Sequence, residues 1–212
     1  TIFEDNDILV IDKPAGLEVA DLPFQVAHRL DKDTSGLLII AKNDPALAKL
    51  QQQFKTRSIK KQYTALAFGD VKPEHGELVT EIARDPARRV PFKVVEIRSG
   101  FERGNPRIAK TRWQVIQKLS INNYPLTIVK ISILTGRTHQ IRVHMKHLGY
   151  PLVGDMVYCT KASKRFSKAI GLTRQFLHAS HIEFTHPQTG KKLIFDSQLP
   201  SNLAKILMTK SK

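Results

Sequence analysis

Asp31 stands in the run His28-Arg29-Leu30-Asp31-Lys32-Asp33-Thr34-Ser35-Gly36-Leu37, between a cation and a small-residue turn that opens an apolar segment. A carboxylate at the edge of a packed element is a competent covalent nucleophile if it stays ionised and meets an electrophilic carbon. Burial would raise its pKa, and a nearby guanidinium would lower it again. Tyr63 offers a ring that can lie flat against a planar base and a hydroxyl that could serve as acid or base. Each residue also has a plainer use. An isolated Asp in such a loop more often caps a turn, here through Thr34 or Ser35, and a lone strand tyrosine more often fills a core. The chemistry therefore depends on what the rest of the chain sets beside them.

Several elements must do that positioning. Ile8 to Ile11 reads as a short apolar strand entering a turn at Asp12-Lys13-Pro14-Ala15-Gly16. Leu37 to Ala41 reads as a strand buried on both faces. Asp44-Pro45 predicts an N-cap with proline behind it, and Leu47, Leu50 and Phe54 carry a helix to about Thr56. Tyr63 to Phe68 is the next strand. Trp113 to Ile116 and Leu126 to Leu134 are expected as strands across an Asn122-Asn123 turn. A helix is expected from about Thr138 to Leu148, stopped by Gly149. A hairpin follows, His181 to Phe184 and Lys192 to Phe195, turning at 186–190. Strands dominate without strict alternation with helices. This predicts an α+β fold with a mixed, largely antiparallel sheet and flanking helices.

The charge points to the partner. Lys and Arg number 34 against 19 Asp and Glu, a formal net charge of +15 on 212 residues. A folded chain this basic suits a polyanion. Residues 84–112 read as the most irregular and most basic stretch, an arm that includes Arg88 and Arg89. Lys161, Lys164, Arg165, Lys168 and Arg174 form a second basic run. The hydrophobic fraction of 41% is enough for a core and excludes a disordered chain. No apolar run approaches the roughly 20 residues of a membrane span. The single cysteine, Cys159, leaves no internal disulfide and suits a reducing compartment, so the cytoplasm is the expected location.

Five segments, in order, resemble the motifs of the RluA-type pseudouridine synthases. They are Asp12-Lys13-Pro14-Ala15-Gly16, the His28–Gly36 run, Lys60-Lys61-Gln62-Tyr63-Thr64-Ala65, Thr135-Gly136-Arg137-Thr138-His139-Gln140-Ile141-Arg142-Val143-His144, and Phe176-Leu177-His178-Ala179. The resemblance implies isomerisation of specific uridines in structured RNA, a ribosomal or transfer RNA stem-loop. The uracil is detached from C1′, rotated and rejoined through C5. It implies Asp31 as nucleophile, Arg142 as the arginine paired with it and Tyr63 against the base. Ile141 would supply an apolar wall, and Arg29 would stack where the flipped base had been. Arg137 is expected to contact phosphate or support the site, His139 and Gln140 to act as hydrogen-bond posts, and Arg88 and Arg89 to grip RNA. The residues leave open whether Asp31 adds at C6, attacks C1′ or takes a proton from C2′. The implied organisation is a single catalytic domain over 1–212, with two lobes around a central RNA-binding cleft, acting as a monomer. The segment between Gly16 and His28 is shorter than usual for the family, and no S4-like domain precedes the motifs.

Other chemistries fit less well. No cofactor or metal is expected. His139, His144 and His147 do not have zinc spacing and lack a Cys or nearby Glu. No G-x-S-x-G elbow, P-loop or G-x-G-x-x-G occurs. A non-catalytic RNA-binding or ribosome-assembly factor with the same fold is the main rival. A DNA-binding protein is the lesser one, because no helix-turn-helix, finger or basic zipper is evident.

Overall fold

The computed structural model describes residues 1–22, 25–85, 90–95 and 105–208. Along the chain run β1 (Phe3–Glu4), β2 (Ile8–Lys13), β3 (Gln25–Val26), β4 (Ser35–Ala41), α1 (Asp44–Thr56) and β5 (Lys60–Phe68). They are followed by β6 (His75–Arg84), β7 (Phe92–Val95), β8 (Arg107–Ile121), β9 (Tyr124–Ile133), α2 (Gln140–His147) and α3 (Lys161–Ala169). β10 (Leu177–Thr185), β11 (Lys192–Asp196) and α4 (Ser201–Met208) complete the order. Two compact units result. The first holds Thr1–Tyr63 and Leu177–Pro200, the second Thr64–Phe176 and Ser201–Lys212. The boundary falls inside β5.

In the first unit β4 is the central strand. All seven of its residues are buried, as an unbroken apolar run requires. β2 pairs with it antiparallel from Ile8↔Ala41 to Lys13↔Gly36. Its other edge takes β3 antiparallel at Ile40 and Ala41, and β10 parallel at Ser35 and Gly36. β10 and β11 form the expected antiparallel hairpin. Ile8, Val10, Leu37, Ile39, Leu50, Ile182 and Phe184 pack into one core against α1. The N-cap of α1 is Asn43, whose side chain accepts the Ala46 N–H at 2.9 Å. Asp44, expected as the cap, instead lies in the first turn, where a carboxylate suits the helix dipole.

The second unit is built on the antiparallel order β7-β6-β8-β9. Of the stretch read as irregular, 84–112, the described residues are mostly strand. β6 runs to Arg84, β7 spans Phe92–Val95, and β8 begins at Arg107. β8 is 15 residues long, against the four expected, and carries an irregularity between Val115 and Gln117 that breaks its alternation. Asn122 and Asn123 take φ of 51° and 62°, as a tight turn between paired strands demands. α2 starts at Gln140, two residues later than expected, because His139 is left-handed at φ 56°. Ile82, Ala109, Val143 and Tyr158 form a core here, with Phe92 and Val94 packed on it.

Candidate active site

The Asp31 loop is anchored from below by a lysine. Lys13 is fully buried, and its ammonium donates to the carbonyls of Pro14, Leu17 and Lys32 at 2.9, 2.8 and 2.9 Å. The Gly16 N–H adds a bond to the same Lys32 carbonyl at 3.0 Å, and the Thr34 N–H closes a turn onto the Asp31 carbonyl at 3.0 Å. Thus the chain on either side of the carboxylate is bonded, while the Asp31 side chain is only half-buried. Burial of a lysine is costly unless its donors are satisfied, and three carbonyls satisfy all three.

Behind the loop, two motif segments meet. Ser35 pairs with His178 and Gly36 with Ala179 across the parallel β4–β10 contact. A Cβ on Gly36 would stand 2.3 Å from the Ala179 carbonyl oxygen, and its φ is +115°, so only glycine fits. The Ser35 hydroxyl and His178 Nδ1 lie 3.0 Å apart. His178 Nε2 lies 3.1 Å from the Ser197 hydroxyl, which donates to Asp12 at 2.6 Å. His28 accepts the Ile39 N–H on Nε2 at 3.0 Å and packs on Phe54 with ring centres 4.8 Å apart. Desolvation, with Lys61 second, pushes its pKa well below the ordinary value, so the ring is neutral. Arg29, next to it, is exposed.

Tyr63 is buried at the end of the first unit. Its phenol pKa is raised, first by burial and then by the negative charge of Asp31, which places the two side chains within electrostatic reach. A phenol held protonated at neutral pH can donate a hydrogen bond. The base role left open for it would require the phenolate.

Arg142, Ile141, Arg137, His139 and Gln140 belong to the second unit. Arg142 is buried and meets Asp155 twice, Nε to Oδ2 at 2.7 Å and Nη2 to Oδ1 at 3.0 Å. Asp155 is itself fully buried and accepts the N–H groups of Val157 and Tyr158, each at 2.9 Å. The guanidinium also lies over the Tyr158 ring, 5.0 Å from its centre. Of the five N–H donors of an arginine, this fork uses two. The Tyr158 hydroxyl accepts the Phe92 N–H at 3.1 Å and meets His139 Nδ1 at 2.9 Å.

Gln140 ties the segment to the sheet. Its Nε2 donates to the Lys110 carbonyl and the Thr111 hydroxyl, both at 2.9 Å, while its Oε1 accepts from Thr135 and the Arg137 N–H. Arg137 Nε donates to the Ile108 carbonyl at 3.0 Å. His144 bridges Thr80 and Thr111, each at 2.9 Å, and desolvation, with His147 second, lowers its pKa to about 4. Ile141 is buried. Arg88 and Arg89 lie outside the described residues.

Sequence reasoning missed Lys13 as an anchor and Asp155 with Tyr158 as the seat of Arg142. The run Gly154-Asp155 to Tyr158 lay outside the motifs used. Among the described residues Asp5, Asp7 and His186 lie close enough to hold an ion. Their atoms already serve the fold. His186 Nδ1 accepts the Gln188 and Thr189 N–H groups, so Nε2 carries the proton donated to Asp5 at 2.8 Å.

A family model described as RNA pseudouridylate synthase matches residues 18–147, more than half of the chain. This chain belongs to the RNA pseudouridylate synthase family. It is 35% identical over 97% of its length to a protein of Neisseria meningitidis named ribosomal large subunit pseudouridine synthase D, covering 59% of that relative. It is likewise 35% identical over 97% of its length to a protein of that name from Nitrosomonas europaea, covering 63% of it. The chain thus spans about three fifths of the length of these relatives. The solved structure of human RNA pseudouridylate synthase domain containing 1 matches 99% of this chain and 94% of its own, at 25% identity and a TM-score of 0.77. The α+β fold with a mixed sheet, expected from the sequence, is that of the family.

Proposed function

We propose that this protein isomerises uridine to pseudouridine in structured RNA, with Asp31 as the nucleophile, Tyr63 against the uracil ring and Arg142 as the cation that keeps Asp31 ionised. The C1′–N1 bond breaks, a C1′–C5 bond forms, N1 gains a proton and C5 loses one to solvent. No net oxidation or reduction occurs, so the reaction calls for no cofactor. The observation that carries the reading is the half-buried Asp31 held on a bonded loop, with the buried Tyr63 phenol inside its field. An exposed Arg29 beside it suits stacking in the place of an extruded base, which offsets part of the few kcal/mol that flipping costs. Buried Ile141 suits an apolar wall, and Arg137, His139 and Gln140 suit the support of Arg142. Arg88 and Arg89 are proposed as phosphate contacts.

The relatives' names make ribosomal RNA the first substrate to test, with a transfer RNA stem-loop second. The two compact units are proposed to form one catalytic domain acting as a monomer in a reducing compartment, the cytoplasm. Release of tritium from C5-labelled uridine in RNA tests the activity. Wild-type protein is expected to release it, and Asp31→Asn is expected to fall to background while still binding RNA. Turnover in a clean Asp31→Asn preparation refutes the nucleophile. RNA binding without tritium release by the wild type would make the protein a non-catalytic RNA-binding factor.

A further inference from the structure

α3 carries its cations on one stripe. Lys161, Lys164, Arg165 and Lys168 recur at i, i+3, i+4 and i+7, and all four are exposed. The opposite stripe is locked into the second unit. Phe166 is buried with its ring centre 5.3 Å from Tyr124 and 5.6 Å from Phe68. The Ser167 hydroxyl accepts the Gly154 N–H at 2.8 Å and donates to the Ser163 carbonyl at 2.7 Å. A capping box at Thr160 and Ser163 sets where the helix begins. The cationic stripe therefore cannot turn inward.

Electrostatically the helix opposes itself. Like charges three and four residues apart repel, and Lys161 sits at the positive end of the dipole. α3 contains no acid to offset this. Several cations on the strands and other loops do have partners: Lys42 with Glu4, Lys60 and Lys192 with Glu183, Arg112 with Glu77, and Lys118 with Asp70 and Glu74. Among the described residues no carboxylate pairs with the four cations of α3. Arg165 instead donates to the Tyr124 hydroxyl at 3.2 Å. Such a stripe is stabilised by a polyanion lying along it.

We propose that the Lys161-Lys164-Arg165-Lys168 stripe of α3 is a docking ridge for the phosphate backbone of the RNA that carries the target uridine, an inference that rests on the proposed activity for the identity of that RNA. The four charges are spread over about 10 Å of helix, a row of point charges suited to successive phosphates. Such contacts fix position and affinity without reading sequence. A membrane surface fits less well, because an interfacial helix needs a free apolar face and that of α3 is buried.

Binding of a labelled RNA hairpin, measured against salt, tests the ridge. The triple variant Lys161→Gln/Lys164→Gln/Lys168→Gln should bind at least about tenfold more weakly near 0.1 M salt, and its log–log salt slope should be shallower by about 2. The corresponding triple Lys→Arg variant should bind like the wild type. Far-UV circular dichroism and a thermal melt check the fold, and relief of repulsion predicts a melting temperature no lower than that of the wild type. An unchanged slope in the triple Gln variant removes the ridge and leaves the activity standing, provided the wild type releases tritium and binds the hairpin. A wild type that does neither removes both readings. Loss of binding to anionic phospholipid vesicles, with hairpin binding kept, would reassign the stripe to a membrane.

Discussion

The segments that carry Asp31 and Arg142 are held in opposite ways. Around Asp31 the stabilising bonds run to backbone. Lys13 donates to three carbonyls, and Gly36 lets two strands approach until no Cβ fits. At the Arg142 guanidinium itself the contacts are with side chains, a fork to Asp155 and a ring face from Tyr158, with the Gln140-Thr111-His144 chain below. The acid is half-buried and the arginine buried. Under the proposed function this contrast makes sense: a nucleophile must present its oxygen to a substrate, and a loop fixed through the main chain with its carboxylate near the surface allows that. A guanidinium that only holds charge and direction tolerates burial, and a carboxylate of its own lowers the cost.

Breaking the arginine's seat should have the largest effect. Asp155→Asn leaves a buried guanidinium without its counter-charge and should cost about 3–5 kcal/mol in urea unfolding. Under the proposed function it should lower kcat more than it weakens RNA binding. Full activity with full stability in that variant would show that Asp155 does not position Arg142.

Acid should strain the same segment next. His144 has a folded pKa near 4, below its unfolded value near 6.5. The unfolded state binds the extra proton in that window, so the contribution is complete above pH 6.5 and lost as pH falls through 4. About 3 kcal/mol should vanish between neutrality and pH 4. His28, shifted the same way, adds to the trend in the first unit. Urea midpoints across this range should fall in the wild type and fall less in His144→Gln. A wild type that gains stability on acidification would contradict the assignment.

Lys13→Met should do somewhat less to stability and more to the loop. It leaves three carbonyls without their donor, and the gain from burying methionine offsets part of that. A net loss of roughly 2–3 kcal/mol is expected. Hydrogen exchange should quicken at Thr34 and Gly16, whose N–H groups are bonded to Asp31 and Lys32, and remain slow around Gln140. Equal loosening in both segments would erase the contrast between them.

Much of this architecture could be read from the chain. Leu37–Ala41 is apolar throughout and became the central strand, and the 3.6 period of Leu47, Leu50 and Phe54 became α1. The turn at 186–190 joined the hairpin as expected. The long β8 was not legible. Polar residues on its exposed face and the irregularity at Val115/Gln117 hide its period of two. Lys13 read only as part of a turn, because nothing local tells a lysine that donates inward from one that points to water.

Residue order alone determined the motifs, and with them the family, the candidate nucleophile and the basic character that suits RNA. Those properties lie in side-chain identity and short-range period, which survive without coordinates. Tertiary structure alone decided that Lys13 is a buried anchor, that Asp155 thirteen residues on seats Arg142, and that Gly36 admits the backbone of Ala179. Each of those depends on desolvation and contact between distant segments, and neither is a property of any stretch of chain until packing has excluded the water.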